Sequence, residues 1–282
     1  MLGRASSAPQ SSERLAARRR LRRRRILIAL TVLFLLSCAG IVYELNQSAV
    51  RISHVTVYGA DQSYADIATV AMRGKYFGVI PRDSTFFFPA SSIRAGIMGE
   101  HSDVAAVSIF RSGLTGLSIK TNERVPIARW CGLAPTAGVE AYCYVFDAGG
   151  FVFAAAATTT ETLNPFTLYA PLEGDTLEPL RATIAHAEEL PSVFDFARQL
   201  SPFGSPVTHI VLRNDEIDDY LASGTRITYV LGNEENAFTA LTSARGNLNL
   251  TDGSLEYVDL RFGGKIYLKK KVDSKQKEVN SQ

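Results

Sequence analysis

The hydrophobic positions fall into one continuous block followed by a long series of short periodic runs. Ile26 to Tyr43 is eighteen residues without a charge, a stretch that rises about 27 Å as a helix and matches a hydrocarbon core of about 30 Å. Beyond it, Val50–Tyr58 alternates apolar and polar positions through Val55 and Val57, the period of a half-buried strand, with Gly59 as its stop. Ser63-x-x-Asp66 has the spacing of a capping box, and Ile67, Val70 and Ala71 supply an apolar helix face before Gly74. A loop rich in Gly, Pro and Phe leads to a second helix near Ser91–Gly99, with Ile93, Ile97 and Met98 facing its core. Val104–Arg111 and Gly116–Asn122 read as two more strands, joined at Ser112-Gly113. The pattern predicts β-α-α-β-β over roughly 80 residues: a three-stranded sheet with two helices on one face.

Glu123–Ala128 continues without a flexible linker. Tyr142–Phe146 and Phe151–Ala155 flank an Asp147–Gly150 turn, and Ala154–Thr162 has the composition of a surface loop. Leu180, Ile184 and Ala187 give Glu178–Leu190 a helical period that Pro191 breaks. Val207–Arg213, Ile217–Leu221 and Arg226–Leu231 predict three strands of an antiparallel meander, followed by a helix over Glu234–Arg245 that Gly246 ends. Leu255–Phe262 and Lys265–Lys269 form a last strand pair around Gly263-Gly264. Residues 1–17 and the tail from Asp273 are polar and expected to be disordered.

Charge divides the chain at the same place as hydropathy. Residues 1–25 hold nine Arg and one Glu, a balance of +8, and the whole chain is +2, so residues 26–282 sum to −6. Seven of those arginines lie between Arg18 and Arg25, directly against the apolar block, which predicts a cytoplasmic N-terminus and everything after Glu44 facing outward. An arginine block also suits nucleic acid. No aromatic residue interleaves with this one, and its position beside a span favours topology and anionic lipid instead. A signal peptide, even a lipoprotein signal ending at Leu36-Ser37-Cys38-Ala39, is the rival reading of the block. Leu36 is large for such a site and the apolar run continues through Ile41, Val42 and Tyr43, so an uncleaved span is preferred.

About 234 residues (49–282) follow the span, enough for one large core or two small ones. Cys131 and Cys143 lie between strand-like runs, in a compartment expected to be oxidising. A structural disulfide is the preferred reading and two buried thiols the alternative. The histidines His54, His101, His186 and His209 share no metal spacing, and no nucleophile elbow or phosphate loop occurs. Asp218-Asp219 and Glu234-Glu235 read as solvated turn or cap charges. Phe86-Phe87-Phe88 is expected to plug the underside of the first sheet, with an exposed docking patch as the alternative. No enzyme activity and no cofactor are expected. What remains is a sheet-rich binding module whose last strand carries Lys265, Lys269, Lys270 and Lys271 around Ile266 and Tyr267. Such lysines protect an edge by charge or make a strip that accepts a partner strand.

Several segments in this order resemble the bacterial cell-division family FtsQ, called DivIB in Gram-positive bacteria. Ile52-Ser53-His54-Val55-Thr56-Val57-Tyr58-Gly59 is similar to the opening strand of that family's POTRA domain. Val104–Arg111, then Leu117-x-Ile119-x-x-x-Glu123-Arg124-x-Pro126-Ile127-Ala128-x-Trp130, resembles its closing strands and Glu-Arg-x-Pro junction. Phe146-Asp147-x-x-Gly150-x-Val152-Phe153 resembles the hairpin that follows, and Val258-Asp259-Leu260-Arg261-Phe262 the family's Asp-Leu-Arg strand. The likeness runs from about residue 15 to 268. The cysteine pair and the insert at Ala154–Thr162 depart from the usual pattern.

The resemblance implies a single-pass membrane protein with an α+β ectodomain. Its parts are a basic cytoplasmic tail (1–25), a transmembrane helix (26–45), a POTRA-like β-α-α-β-β subdomain (50–124), a mostly antiparallel FtsQ-type β-subdomain with packed helices (125–272) and a disordered tail (273–282). It implies a non-enzymatic divisome scaffold at the septum, holding the coiled-coil membrane proteins FtsB (DivIC) and FtsL and linking them to septal peptidoglycan synthesis. The implied partner site is Arg261, Phe262, Gly264, Lys265, Ile266 and Tyr267, with Phe262 as anchor and Arg261 pairing a partner carboxylate. Arg261 and Asp259 satisfying one another is an equally weighted reading. Val55 and Val57 are implied in recruitment to the septum. A POTRA-bearing envelope transport or assembly protein and a cell-envelope lipoprotein are the alternatives.

Overall fold

The structure is a computed structural model that describes residues 10–59, 62–135, 142–157, 160–175 and 178–271. The disorder expected of residues 1–9 and of the tail from Asp273 falls outside the described residues. Two compact units result: residues 1–100 with 106–122, and residues 101–105 with 123–282.

In the first unit, helix α1 (Gln10–Leu45) runs unbroken through the arginine block and the apolar block. It therefore includes residues 10–17, expected to be disordered: Ala, Leu, Arg and Glu dominate there, and each has good helix propensity. Within α1, Arg19–Leu45 is long and apolar enough to cross a membrane. Strand β1 (His54–Tyr58), helices α2 (Ser63–Ala71) and α3 (Ala90–Glu100), and strands β4 (Val104–Ser112) and β5 (Gly116–Glu123) follow. The segment expected to be plain loop contains a small hairpin, β2 (Lys75–Tyr76) and β3 (Ile80–Pro81). The sheet order is β1-β5-β4, with β1 and β5 parallel and His54 opposite Gly116.

The two helices pack closely, with Tyr64, Ala65, Ala68, Ile93 and Ile97 buried. Gly96 permits that approach, since a Cβ there would stand 2.8 Å from Ile67 Cγ2. Ser63 enters α2 one residue inside the Gln62 N-cap, so no capping box forms. Phe86 and Phe87 are half-exposed rather than plugged beneath the sheet. Thr85 turns the chain outward there, its N–H donating to Val50 O at 3.0 Å and its hydroxyl to Leu114 O.

The second unit is one mixed sheet built from β6 (Ala128–Trp130), β7 (Tyr144–Phe146), β8 (Val152–Ala155), β9 (Thr167–Tyr169), β10 (Val207–Arg213), β11 (Glu216–Leu221), β12 (Arg226–Val230), β13 (Leu255–Asp259) and β14 (Tyr267–Lys270). Their order is β14-β13-β12-β11-β10-β9-β6-β7-β8. The pairs β9/β10, β6/β9 and β12/β13 are parallel, and the others antiparallel. Helices α4 (Leu190–Leu200) and α5 (Glu234–Ser243) cover one face, where Leu190, Val193, Phe194, Phe196, Ala197, Leu200, Ala237 and Leu241 join Ile210, Ile217, Ile227, Tyr229 and Val258 in the core.

The helix expected over Glu178–Leu190 lies one step later. Pro191 sits in the first turn of α4, where its missing N–H has no intrahelical partner to lose. The preceding stretch holds Arg181 and His186 at positive φ and joins other segments as isolated bridges, Thr183 with Phe151 and Ile184 with Leu172. From Pro191 to Leu200, where the sequence predicts no element, α4 lays a Val193–Phe194–Ala197–Leu200 stripe on the core.

Two of the motifs quoted above meet in this unit. The Arg124 guanidinium pairs with Asp147, donates from Nε to Ser102 O at 3.0 Å and lies 4.1 Å from the Phe151 ring centroid. Asp147 in turn accepts the N–H groups of Gly149 (2.9 Å) and Phe151 (3.1 Å), which closes the β7–β8 turn. The Glu-Arg-x-Pro arginine is thus a strut for the hairpin.

Asp218 and Asp219 are not solvated turn charges. Both sit inside β11 and both are buried. Adjacent strand residues face opposite sides, and each acid finds a different environment. Asp218 meets Arg213 and accepts the Thr228 hydroxyl at 2.6 Å. Asp219 turns to the helix-covered side, where its only described hydrogen-bond partner is the Tyr229 hydroxyl at 3.3 Å, and its Oδ1 has none. Burial, opposed by that hydrogen bond and aided by the nearby Asp218 and Glu234 charges, pushes its carboxyl well above the ordinary range.

Candidate functional site

Among the described residues β14 is the terminal strand of the large sheet, hydrogen-bonded to β13 on one side only. Its residues pair in antiparallel register as Tyr267 with Asp259, Leu268 with Val258 and Lys269 with Tyr257. All four residues of β14 are exposed. The strand begins two residues later than the lysine pattern predicts, because the chain needs Leu260–Ile266 to turn back. Gly264 takes a φ of 71°, which glycine adopts without a Cβ penalty, and the Lys265 N–H closes the turn on Phe262 O at 3.1 Å.

Six of the sequence-predicted residues come together in and beside this turn. Arg261 is engaged within the chain: Nε and Nη2 bond the two oxygens of Asp259 at 3.0 and 2.7 Å, and Nη1 bonds Glu216 Oε1 on β11 at 2.5 Å. Those bonds, from the Arg261 side chain first and its backbone N–H next, hold the Asp259 carboxyl below the ordinary range despite its partial burial. The same bonds raise the guanidinium. The cation is therefore a brace for the turn, in the arrangement where Arg261 and Asp259 satisfy each other. Its guanidinium carbon lies 5.7 Å from the Phe262 ring centroid.

Phe262 is 52 % exposed, and its ring meets Tyr267 edge-on with centroids 5.3 Å apart. Ile266 points the other way and packs against the core. Lys265 is exposed, and Lys269 pairs with Glu256 at 2.9 Å while lying 5.8 Å from the Tyr257 ring. Val55 and Val57 are in the other unit, half-buried on β1 opposite Leu117 and Ile119.

Two further elements escaped the sequence reading. Leu268 stands opposite Val258 and so shares its face, yet it is 45 % exposed where Val258 is fully buried. The outermost strand has passed beyond the cover of the helices. Beside the turn runs an open groove of about 690 Å³, between Asn233 with α5 (Asn236, Thr239, Ala240, Ser243) and Gly263, Gly264 and Ile266. The small residues along it let another backbone come close. The run Lys265–Lys269 after Gly263-Gly264 signals the strand, but the limit of helix cover is a tertiary fact with no local signal.

Cys131, just after β6, and Cys143, just before β7, are joined as a disulfide with Cα atoms 4.3 Å apart, stapling the β6–β7 pair. Among the described residues no group of three His, Cys, Asp or Glu side chains is placed to hold a metal ion. The arrangement at β14 offers strand backbone unpaired among the described residues, an aromatic pair, an exposed leucine and a basic rim: the chemistry of peptide capture. No family model matches the chain, and no curated protein matches it.

Proposed function

We propose that this chain is a non-enzymatic, single-pass membrane scaffold of the FtsQ/DivIB type, POTRA-like in its first unit, which captures the outward-facing segments of FtsB- and FtsL-like coiled-coil proteins. The observation that carries the reading is the exposed outer strand β14 with Phe262, Tyr267 and Leu268 beside it. An extended partner segment adds to β14 through main-chain hydrogen bonds, and its side chains meet the Phe262–Tyr267 pair on one face and Leu268 on the other. The groove along α5 accepts the chain that leads into that segment. Lys265 and Lys270 favour an acidic partner. The Asp259–Arg261–Glu216 brace fixes the turn before binding, so less ordering entropy opposes association. Organisation along the chain supports the same reading: a basic segment, an apolar helix, a β-α-α-β-β unit and a β-rich unit.

The test is binding of the full-length protein, held in nanodiscs, to purified coiled-coil segments of the FtsB- and FtsL-like proteins from the same organism. Wild type is compared with Phe262→Ala and Lys265→Glu. Micromolar or tighter binding that either variant weakens supports the scaffold at this site. Wild-type binding that neither variant changes moves the site elsewhere, and no binding by folded wild type rejects the division role.

A further inference from the structure

The first unit carries its own set of exposed apolar side chains, and the topology gathers them at one end. α1 runs straight into the unit: Leu45, its last residue, is buried, and the helix touches β3. The chain then enters β1 through Val50–Ser53. Val50 O accepts the Thr85 N–H at 3.0 Å, the Thr85 hydroxyl donates to Leu114 O, and the Ser53 N–H donates to Thr115 O at 2.8 Å. Because β1 and β5 are parallel with His54 opposite Gly116, the β4–β5 turn lies level with the start of β1. The β2–β3 tip, the Phe86-Phe87 turn and the β4–β5 turn therefore surround the point where α1 delivers the chain.

Each of these loops presents an apolar side chain to solvent. Phe77 is 99 % exposed at the β2–β3 tip, four residues from Pro81 and so no more than about 14 Å from the strand that touches α1. Val79, Phe86, Phe87 and Leu114 are exposed as well, and Tyr43 is exposed at the close of the apolar block. Arg73, Lys75 and Arg111 stand exposed among them, with the Arg111 guanidinium 5.9 Å from the Phe86 ring centroid. Arg51 is already bonded to Asp83.

Helix α1 identifies what covers this face. Its apolar block ends at Tyr43, and Leu45, two residues on, is already buried in the unit. With α1 crossing a bilayer, that leaves no spacer, and the surrounding loops lie at headgroup depth. Exposed aromatic and aliphatic side chains flanked by cations are the composition that partitions there.

We propose that Phe77, Phe86, Phe87 and Leu114 form a lipid-docking face that inserts into the headgroup–acyl boundary of the bilayer crossed by α1, with Arg73, Lys75 and Arg111 against lipid phosphates. The contact holds the first unit on the membrane surface instead of leaving it to swivel on one helix. This rests on α1 being a span, and it is independent of any partner at β14.

The test uses the full-length protein in phosphatidylcholine–phosphatidylglycerol vesicles, with and without bromine on the acyl chains. Single tryptophans are added as Phe77→Trp and Phe87→Trp, and as Phe34→Trp to report the span. Trp130, buried with its Nε1 donating to Ala170 O at 2.8 Å, supplies the background read from wild type. Each replaced phenylalanine is exposed, so the variants keep the wild-type melting temperature. The expected result is a loss of about twofold or more in the added emission of all three variants in brominated vesicles, with little quenching by aqueous acrylamide. Quenching of Phe34→Trp alone, with Phe77→Trp and Phe87→Trp open to acrylamide, overturns the docking face and leaves the span intact. Shielding of those two from both quenchers overturns it in favour of a protein contact. No quenching of Phe34→Trp overturns the span and the docking face together.

Discussion

Asp259 and Arg261 clamp one another across a single intervening residue: Oδ1 accepts the Arg261 backbone N–H and Nε, each at 3.0 Å, while Oδ2 accepts Nη2 at 2.7 Å. Arg261 Nη1 then reaches Glu216 on β11, two strands further into the sheet. The clamp sets the angle at which the chain leaves β13 and so positions Phe262. Arg261→Ala is expected to cost about 1 kcal/mol of stability, since the side chain is partly open to solvent. Partner affinity is expected to fall about tenfold from the loss of pre-organisation. Arg261→Lys restores the charge but not the fork, so it recovers little. The sign with pH follows from Asp259, whose folded value is depressed: the clamp stabilises above the ordinary carboxylate value of 3.8 and is lost as pH falls through the lower folded value. Equal affinity in Arg261→Ala and wild type, by calorimetry, contradicts this role.

The Phe262–Tyr267 pair is exposed and edge-on, so removing either ring leaves the fold without a cavity. Phe262→Ala or Tyr267→Ala is expected to leave the melting temperature within about 2 °C of wild type. Each is expected to weaken partner binding by about 2 kcal/mol, the usual cost at an aromatic hot spot. A large fall in melting temperature would instead mark the pair as part of the core.

How much of this was legible follows the range of the interactions. The strand periods at β4, β5 and β10–β12 and the turns at Gly113 and Gly150 rest on local chemistry, and they appear within a residue or two of their expected bounds. β1 starts at His54, four residues inside its expected start at Val50, because Ser48–Val50 winds as a 3-10 turn, and the apolar block lies within a helix that begins well before it. α4 was misplaced because Pro191 was read as a breaker when it is a starter, a distinction made by the Val193–Leu200 stripe and not by the proline. β9 was missed because Thr167–Tyr169 is three residues held by parallel neighbours far away in sequence. Asp218-Asp219 looked solvated because two acids in a row usually are, and only the sheet order shows that β11 is central. At the candidate site the turn and the strand could be read ahead. The Glu216 contact, the reach of helix cover at Leu268 and the α5 groove come from tertiary packing.

Asp219 predicts an unusual response to pH. Its folded value is raised, so between the unfolded value near 3.8 and the higher folded value the folded state holds more protons, and stability falls as pH rises through that window. Asp219→Asn keeps an acceptor for the Tyr229 hydroxyl at 3.3 Å and removes the titration. Thermal unfolding from pH 4 to 8 is expected to show the variant gaining on wild type as pH rises, by about 1–3 kcal/mol at the alkaline end. Parallel curves across the range contradict a raised Asp219 carboxyl.

The Cys131–Cys143 disulfide predicts where the large sheet is weakest without it. It closes a separation of 12 residues, for which loop entropy gives about 3 kcal/mol. The β6–β7 pair it staples is three residues long and lies toward the β8 end of the sheet, away from β14. Reduction, or the double change Cys131→Ser with Cys143→Ser, is expected to lower the melting temperature by several degrees. Faster amide exchange should appear first in Ala128–Trp130 and Tyr144–Phe146. Partner binding at β14 should survive below the new midpoint, because five strands, β9 to β13, stand between the staple and β14. Both routes are needed: Cys131→Ser puts a hydroxyl at a buried position and adds its own desolvation cost, whereas reduction leaves the sulfurs in place. Unchanged stability and exchange after complete reduction would show that the β6–β7 pairing holds without the bond, and loss of partner binding at a temperature where the reduced protein is folded would show the two ends of the sheet to be coupled.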